Sequence, residues 1–426
     1  MKQTLYIICP LFSRSGYGQH SRLIVNSLLN HVDKYDIKII LTRWGNTPQT
    51  GKNDKYLPFI HNGPITQQPD ISIQIAIPNE FQRIGKVSIG VSAVTESSVC
   101  SPEFIEGANK VDLVLVPSEF TKNVLLQTEI EKRDSQNNQT IEILKCRTPV
   151  RVLFEGLDLN IFNKNNVIRS EFVSQQLSII KEDFVFLCVS AWLQGQLGED
   201  RKNVGALIHL FLDVFKRKGS GNRPALLLKV HGAGFSEVEQ VEVIDKIRQI
   251  QTLIEQSGFK GVLPSIYLLN GDLTDEEMNT LYNHPKVKSL VSLSHAEGYG
   301  LPLSEFTTTG KPVIAPAYSG QMDFLSKDHG AILLPGQMTK IHPTAANQWI
   351  IKDSEWFTPN YQYTSQIVND MYENYDKYLE KSRKHIKYSK DNFSLDLMEQ
   401  KLIEILNEFD IKKPQMTIKL PQLKKL

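Results

Sequence analysis

The chain has 426 residues, of which 41% are hydrophobic and 22% charged, and its formal net charge at pH 7 is +1. This length predicts two or three domains that each bury a core, and the composition is that of an ordinary folded protein. A charge so near zero excludes the overall basic field that binds nucleic acid, and it leaves at most peripheral contact with a membrane.

The cysteines and the apolar runs indicate a cytoplasmic protein. Cys9, Cys100, Cys146 and Cys188 are scattered without C-x-x-C spacing, which is typical of reduced thiols in a cytosolic chain. The first apolar run, residues 5–11, is too short for a signal peptide followed by a cleavage site, and no run reaches the length of a membrane span. We therefore expect the protein in the cytoplasm.

Buried-strand patterns alternate with helical patterns in the first part of the chain. The patterns predict helices at about 19–29, 102–108 and 118–127, and the polar segment 129–140 predicts a surface loop. Such alternation is typical of an α/β domain with a mainly parallel sheet, whose ligands bind beyond the carboxyl ends of the strands. Apolar runs of strand length occupy residues 5–10, 37–41, 71–77, 87–94, 111–116 and 150–154.

Two segments at predicted strand ends are candidate ligand sites. Gly16 and Gly18 lie in a glycine turn before the first helix, where backbone either approaches a ligand closely or only packs strand on helix. Glu96 follows the strand 87–94, where it either faces a cleft and binds a hydroxyl group or is an exposed loop acid or helix cap. The sequence pattern leaves both alternatives open at each segment.

The second part of the chain repeats the alternation. Residues 335–360 form an irregular insertion that contains aromatic residues, and helices are predicted at about 364–378 and 395–409. The other predicted elements are strands at 184–190, 225–230, 266–269, 287–293 and 312–315, and helices at 204–215, 238–256, 274–282 and 302–309.

The most informative segment is the predicted strand–turn–helix around residues 292–324. The turn contains Glu297, Pro302 suits the first helical turn, and Glu305 lies about one turn inside the helix. A helix start after a glycine turn offers free N–H groups to an anion, and a carboxylate accepts two hydrogen bonds from a vicinal diol. The segment is therefore either a site for a phosphate flanked by sugars or a glycine turn whose acid stabilises the helix dipole.

Arg201 and Lys202 immediately precede the predicted helix 204–215. Two cations at a helix start oppose the macrodipole, so they destabilise the helix unless an anion binds among them. They are either anion ligands or solvated surface charges.

A family resemblance is carried by the E-x7-E pattern and its EGYGLPLSE filling. It resembles the signature of retaining, nucleotide-sugar-dependent glycosyltransferases of the GT-B fold, in particular the large family numbered four. The resemblance spans residues 184–334 closely and the first domain in outline. It implies two Rossmann-like, doubly wound α/β domains that face each other across a cleft.

The resemblance also implies roles for particular residues. Glu297 would bind the donor sugar, Glu305 the ribose, and Lys202 the donor diphosphate. Arg201 would replace the family's other diphosphate cation, because Ala191 and Trp192 stand at that cation's usual place. The remaining implied donor contacts are the amides of Gly298, Tyr299, Gly300 and Leu301, the side chain of Leu273 at the base, and the loop of Gly16 and Gly18.

Further positions follow from the same comparison. Glu96 would bind the acceptor, and Glu155-Gly156-Leu157-Asp158 resembles the family's step out of the first domain, with glutamate at an asparagine position. We expect an acceptor-binding domain at 1–165, a donor-binding domain at 180–390, a helix at about 394–410 that crosses back to the first domain, and a tail at 411–426.

The implied activity is retaining transfer of a hexose from a UDP- or GDP-linked sugar to an acceptor hydroxyl of a glycan or glycoconjugate. No metal-ligand spacing is present in the sequence, so we expect neither a metal nor another cofactor. Two other classes stay open: a nucleotide-sugar hydrolase or epimerase of similar build, and a non-catalytic protein that binds sugar nucleotides.

Overall fold

A computed structural model shows two α/β halves, each built around a six-stranded sheet in which all neighbouring strands are parallel. The structure describes residues 2–49, 54–134, 139–165, 167, 169–193, 195, 197–219, 221, 223–232 and 234–409. The predicted α/β fold with parallel sheets is confirmed.

The first half follows the predicted alternation of strands and helices. Its elements are β1 (Gln3–Cys9), α1 (Gly16–Leu29), β2 (Tyr35–Leu41), β3 (Ile71–Ile75), β4 (Val87–Val91), α2 (Pro102–Ala108), β5 (Leu113–Val116), α3 (Glu119–Gln127), β6 (Ile130–Arg133), β7 (Thr140–Leu144) and β8 (Val150–Val152). The sheet order is β2-β1-β3-β4-β5-β8. The chain therefore reverses its direction of travel across the sheet after β2, when β3 pairs with the other side of β1.

The polar segment 129–140 differs from its prediction as a loop. β6 and β7 pair in an antiparallel hairpin. Most side chains of this ribbon are exposed, Ile141 among them at 69%. A ribbon solvated on both faces needs no alternation of apolar and polar residues, so its sequence carries no strand period.

The second half contains the other parallel sheet. Its elements are α4 (Glu171–Ser178), β9 (Val185–Ala191), α5 (Val204–Phe215), β10 (Ala225–His231), α6 (Glu237–Gln256), β11 (Ile266–Leu268), α7 (Asp275–Asn283), β12 (Val287–Val291), α8 (Leu301–Thr307), β13 (Val313–Pro316) and β14 (Ile332–Leu334). The sheet order is β11-β10-β9-β12-β13-β14. The central strands β9, β10 and β12 are buried on both faces along most of their length, which explains their continuous apolar runs.

The C-terminal part differs most from the sequence prediction. The segment 335–360 contains an antiparallel hairpin of β15 (Gly336–Lys340) and β16 (Glu355–Pro359), where an irregular insertion was predicted. Three helices follow: α9 (Tyr361–Glu373), α10 (Tyr375–Phe393) and α11 (Leu395–Asn407). The prediction missed α10 because the residues it buries, Ser382, His385 and Ser389, are polar and give no apolar stripe.

The last helix packs against the first half. Met398, Leu402 and Leu406 of α11 are fully buried, and Glu399 accepts a hydrogen bond of 2.8 Å from Asn30 Nδ2 at the end of α1. The predicted tail 411–426 lies outside the described residues. Among the residues that are described, no helix combines the length and apolar composition needed to cross a lipid bilayer.

We expect Leu402→Ala to destabilise the protein by about 2–5 kcal/mol, because it leaves a cavity between α11 and the first half. Leu253→Ala on α6 is the matched control, since Leu253 is 48% exposed and its truncation should change stability by about 0.5 kcal/mol or less. Urea unfolding of the whole chain measures both changes. Equal losses in the two variants would contradict the packing of α11.

Candidate functional site

The order of the second sheet places two loops beside a crevice. β9 and β12 are neighbours, yet the chain leaves β9 toward β10 on one side and leaves β12 toward β13 on the other. Loops that diverge from the carboxyl ends of two adjacent strands leave a crevice between them. Ligands of open α/β sheets bind in such crevices. Arg201 and Lys202 lie in the loop after β9, and Glu297 lies in the turn after β12.

The structure brings four predicted site residues together at this crevice. Lys202 Nζ donates a hydrogen bond to Glu297 Oε2, and Arg201 Nη1 lies 3.8 Å from the same oxygen. Arg201 Nη1 is also 3.2 Å from Glu96 Oε1 and donates to the carbonyl oxygen of Ala296 at 3.1 Å. Arg201 therefore connects an acid of the first half with an acid of the second half. We call Glu96, Arg201, Lys202 and Glu297 the charged cluster.

Within the charged cluster, electrostatics favour the ionised form of Glu297. Burial raises the pKa of Glu297, but Lys202 and Arg201 outweigh that effect and hold the pKa below its ordinary value. Burial lowers the pKa of Lys202, the charge of Arg201 adds to this, and Glu297 opposes it. The side chains of Glu297 and Lys202 are 13% and 20% exposed, so each charge depends on its partner for stabilisation.

The turn after Glu297 packs so tightly that glycine is required. A Cβ on Gly298 would lie 2.9 Å from the Cβ of Ala93, and Ser118 Oγ of the first half donates a 2.6 Å hydrogen bond to the Gly298 carbonyl oxygen. Gly300 has φ = 101° and caps α8, a conformation that glycine adopts readily.

The same turn leaves backbone donors at the crevice. Within the described part of the chain, the N–H groups of Gly298, Tyr299, Gly300 and Leu301 have no hydrogen-bond partner. The Tyr299 side chain is buried with its ring 4.9 Å from that of Phe324, so this residue presents only backbone. These N–H groups are thus available to an anion.

Glu305 borders a cavity between the halves. The cavity measures about 270 Å³ and is lined by side chains of α1, among them Gln19 and Arg22, and by Asp275 of α7. Tyr282 donates a 2.8 Å hydrogen bond to Glu305 Oε2. Burial, followed by the charge of Asp275, raises the pKa of Glu305 well above its ordinary value. The cavity thus has an acid on its wall that can bind hydroxyl groups.

Glu155, at the step out of the first domain that its sequence pattern indicates, lies near enough to Glu297 to feel its charge. Its carboxyl group is nearly buried, and Oε1 lies 3.5 Å from Nδ1 of His20 on α1. Burial raises the pKa of Glu155 to about 8, and the charge of Glu297 contributes. Two signals could have identified it: an acid directly after a buried strand, and glutamate at a position where the resembling family has asparagine.

The glycine loop after β1 differs from its prediction. α1 begins at Gly16, so Gly16 and Gly18 lie in the first helical turn, where a loop before residue 19 was predicted. The helix starts early because Ser15 caps it, its Oγ accepting a 3.1 Å hydrogen bond from Gly18 N. A Cβ on Gly18 would lie 2.0 Å from Ser13 O, whereas Gly16 has open space around it.

The loop nevertheless reaches the second half. Arg14 Nη2 forms an ion pair of 2.6 Å with Asp272 Oδ2, directly before Leu273. Leu273, predicted at the base of the nucleotide, is 7% exposed and packs in the main apolar core.

The insertion between β14 and α9 joins the two halves, a role that the sequence analysis did not predict. On the second half, Trp356 stacks on His295 with 4.0 Å between ring centroids. On the first half, Ser98 N donates to Glu355 O at 2.8 Å, and Glu355 N donates to Ser98 Oγ at 2.9 Å. Trp349 also stacks on Phe104 of α2 at 5.0 Å. We call residues 336–359 the strap.

The described residues contain no group of three or more His, Cys, Asp or Glu side chains placed to hold a metal ion.

Solved structures with the same overall arrangement have low sequence identity to this chain. HepE from Anabaena, in complex with UDP-glucose, is 15% identical over 95% of this chain and 100% of its own, with a TM-score of 0.60. Sucrose-phosphate synthase from Thermosynechococcus elongatus is 12% identical over 96% and 99%, with a TM-score of 0.61. A glycosyltransferase from Rickettsia africae is 14% identical over 97% and 100%, also with a TM-score of 0.61.

These similarities show that the chain has the GT-B fold that its sequence resemblance implied. No family model matches the sequence, and no curated protein matches it.

We expect the strap to hold the halves closed. In the double variant Trp349→Ala and Ser98→Ala, the stack on Phe104 and one hydrogen bond are lost, so the radius of gyration from small-angle X-ray scattering should increase. Trp44→Ala is the control, because Trp44 stacks on Tyr17 within the first half at 3.9 Å. An unchanged radius in the double variant would contradict this role.

Proposed function

We propose that the chain is a retaining glycosyltransferase that moves a hexose from a UDP- or GDP-linked sugar to an acceptor hydroxyl of a glycan or glycoconjugate. The main observation in support of this proposal is the charged cluster. Lys202 and Arg201 both lie close to Glu297 Oε2 at the crevice where the strand order reverses. A neighbour of the same fold solved with UDP-glucose supports the choice of donor class.

The donor would replace some of the ion pairs within the charged cluster by its own contacts with these residues. Its diphosphate is an anion that pairs with Lys202 and Arg201 and accepts hydrogen bonds from the free N–H groups of residues 298–301. Glu297, relieved of part of its pairing with Lys202, then accepts hydrogen bonds from sugar hydroxyls. The ribose diol lies in the cavity against Glu305, the base lies toward Leu273, and the helix start at Gly16 and Gly18 lies under the donor phosphates.

The reaction breaks the bond between the anomeric carbon and the donor phosphate oxygen, and it forms a bond from the acceptor oxygen to the same carbon. The acceptor's proton passes to the leaving phosphate oxygen, so attack occurs on the face that the phosphate leaves and the configuration is retained. Lys202, Arg201 and the free N–H groups stabilise the charge that grows on the diphosphate, an effect typically of several kcal/mol. These fixed positive groups serve the role for which other transferases use a metal ion, so we propose that the reaction needs no metal ion.

The acceptor would enter from the first half. Glu96 contacts Arg201 at the crevice, which places an acid beside the reacting centre for an acceptor hydroxyl. The strap and the contact of Ser118 with Gly298 close the crevice, which limits water that would hydrolyse the donor.

Lys202→Met should lower kcat by about 10²–10³-fold, because the leaving diphosphate loses its buried cation. The assay measures release of the nucleoside diphosphate in the presence of acceptor, with and without EDTA, and NMR of the product gives its anomeric configuration. Lys384→Met, at an exposed lysine, is the matched control and should leave the rate unchanged.

Full activity in Lys202→Met would contradict the proposed role. Nucleoside diphosphate release that is independent of acceptor would instead indicate a hydrolase, and an inverted product would exclude retention. Loss of activity in EDTA would overturn metal independence.

Glu305→Gln should weaken binding of the nucleoside diphosphate by roughly tenfold, because one of the two side-chain oxygens that can accept a hydrogen bond from the ribose diol becomes an amide NH₂ group, which cannot accept one. The same variant should bind the 2′,3′-dideoxy nucleotide as well as the wild type does, since that nucleotide lacks the diol. Calorimetry measures both affinities, and Glu404→Gln, an exposed acid on α11, is the control. Equal losses for the two nucleotides would argue against a ribose contact.

A further inference from the structure

Trp44 is a half-buried aromatic residue that the proposed reaction leaves without a role. It lies in the loop after β2, and its neighbours in the chain, residues 42, 43, 45 and 46, are exposed. It belongs to none of the apolar cores that the described residues form. Core packing therefore does not explain why this loop carries a large aromatic side chain.

The loop of Trp44 lies at the edge of the first sheet where the second half is in contact. Strands β1, β2, β3 and β4 are parallel, so the segments that follow them meet at one edge. Glu96 follows β4 at this edge, and its Oε1 lies 3.2 Å from Nη1 of Arg201 in the second half. Trp44 thus shares an edge of the sheet with the acid that we propose for the acceptor.

Tyr17 connects Trp44 with residues that touch the second half. The rings of Trp44 and Tyr17 stack with their centroids 3.9 Å apart and their planes 17° from parallel. The Tyr17 hydroxyl group forms a 2.8 Å hydrogen bond with Ser92 Oγ and accepts one of 3.1 Å from Ala93 N. A Cβ on Gly298 would lie 2.9 Å from the Cβ of Ala93. The stack and its contacts therefore extend from the loop after β2 to the turn after β12.

The loop of Trp44 is fixed against the segment that follows β1. Ser13 Oγ lies 2.5 Å from Thr47 Oγ1, which is also 2.7 Å from the carbonyl oxygen of Trp44. Arg14 N donates a 2.8 Å hydrogen bond to Pro48 O. A fixed loop loses little conformational freedom when a ligand binds, so the ring that it carries is a preorganised surface.

Stacking on Tyr17 covers one face of the Trp44 indole. Tyr17 is its one aromatic partner in the described part of the chain, where the indole N–H also has no hydrogen-bond partner. The C–H groups on a face of a pyranose ring form an apolar patch, and the hydroxyl groups of the ring accept hydrogen bonds. An indole offers both an apolar face and an N–H donor, so Trp44 has the chemistry of a sugar-binding surface.

We propose that the face of Trp44 turned away from Tyr17 binds a pyranose ring of the acceptor at the crevice that contains Glu96. This inference rests on the proposed function and adds an acceptor contact to it. It also names the acceptor class: a pyranose with an apolar C–H face, which an open-chain polyol lacks.

Fluorescence titration tests binding at Trp44 without donor. The probes are the methyl pyranosides of glucose, galactose, mannose and N-acetylglucosamine, and sorbitol is the open-chain control. At least one pyranoside should change the tryptophan emission of the wild type in a saturable way, whereas sorbitol should not. Trp44→Phe should lose this change, because the indole that the sugar covers is gone.

No saturable change with any pyranoside would overturn the inference. The same change in Trp44→Phe as in the wild type would overturn it too, because the sugar would then lie beside another tryptophan.

Transfer kinetics with UDP-glucose or GDP-glucose measure the contribution of the ring. With a pyranoside as acceptor, Trp44→Ala should raise the KM for the pyranoside by about tenfold, because the stacking surface is lost. Trp44→Phe keeps an aromatic face and should restore this KM to within about threefold of the wild-type value. Phe172→Ala is the matched control, at an aromatic residue of α4 that is 50% exposed, and should leave it unchanged.

Calorimetry with the sugar nucleotide shows which proposal fails. An unchanged pyranoside KM in Trp44→Ala, or a loss of donor affinity as large as the rise in that KM, would overturn the inference alone. Absence of transfer to every pyranoside in a wild type that binds donor would do the same. If the wild type binds neither sugar nucleotide, the proposed function fails, and the fluorescence titration still decides whether Trp44 binds a pyranose.

Discussion

The buried pair between Lys202 and Glu297 is the interaction on which the site depends. The two residues lie on loops that leave neighbouring strands in opposite directions, and each charge is largely removed from water. A buried charge is tolerated only with a close partner, so the pair brings the two loops to one point of the crevice. In the free protein the charges satisfy each other, and an anionic ligand can replace one partner without leaving the other unpaired. Arg201 extends this arrangement to Glu96 in the first half.

The two halves meet beside this ion pair. Their contacts include a glycine that leaves no room for a side chain, a hydrogen bond and a pair of stacked aromatic rings. Gly298 of the second half has no room for a side chain, since a Cβ there would lie 2.9 Å from the Cβ of Ala93 in the first half. Asp323 Oδ2 accepts a 2.9 Å hydrogen bond from Glu119 N, so the second half caps a helix of the first. The strap adds the stack of Trp349 on Phe104. Closure is thus built into side chains on both halves, which suits a site where the proposed chemistry must exclude water.

The sequence predicted those parts of the structure whose physical causes are local. Strands buried on both faces appear in the sequence as apolar runs. An acid or a cation next to a glycine turn or a helix start indicates a charged side chain near the end of a strand. This pattern is what singled out Glu297 and Lys202 as candidate site residues. The pairing of Arg201 with Glu96 depends on how two halves of the chain meet, and no local pattern encodes it. The same holds for the strap, whose partner residues in the first half lie more than 200 positions away in the sequence.

The burial of polar side chains explains the remaining differences between the sequence prediction and the structure. Helix α10 buries serine and histidine where a periodic pattern requires apolar residues, so it was missed. Glu155 resembles an ordinary loop acid until β8, α1 and the Glu297 turn surround it. Such residues are visible only in three dimensions, and their effects are electrostatic, which sequence periodicity does not report.

We propose that a sugar nucleotide binds in the crevice between Lys202 and Glu297. Hydrogen–deuterium exchange with and without UDP-glucose tests it most directly, because the N–H groups of residues 298–301 have no partner in the free protein among the residues described. We expect the donor to slow exchange at these amides and in the segment around Lys202. Slowed exchange confined to other parts of the chain, with residues 298–301 unaffected at saturating donor, would contradict it.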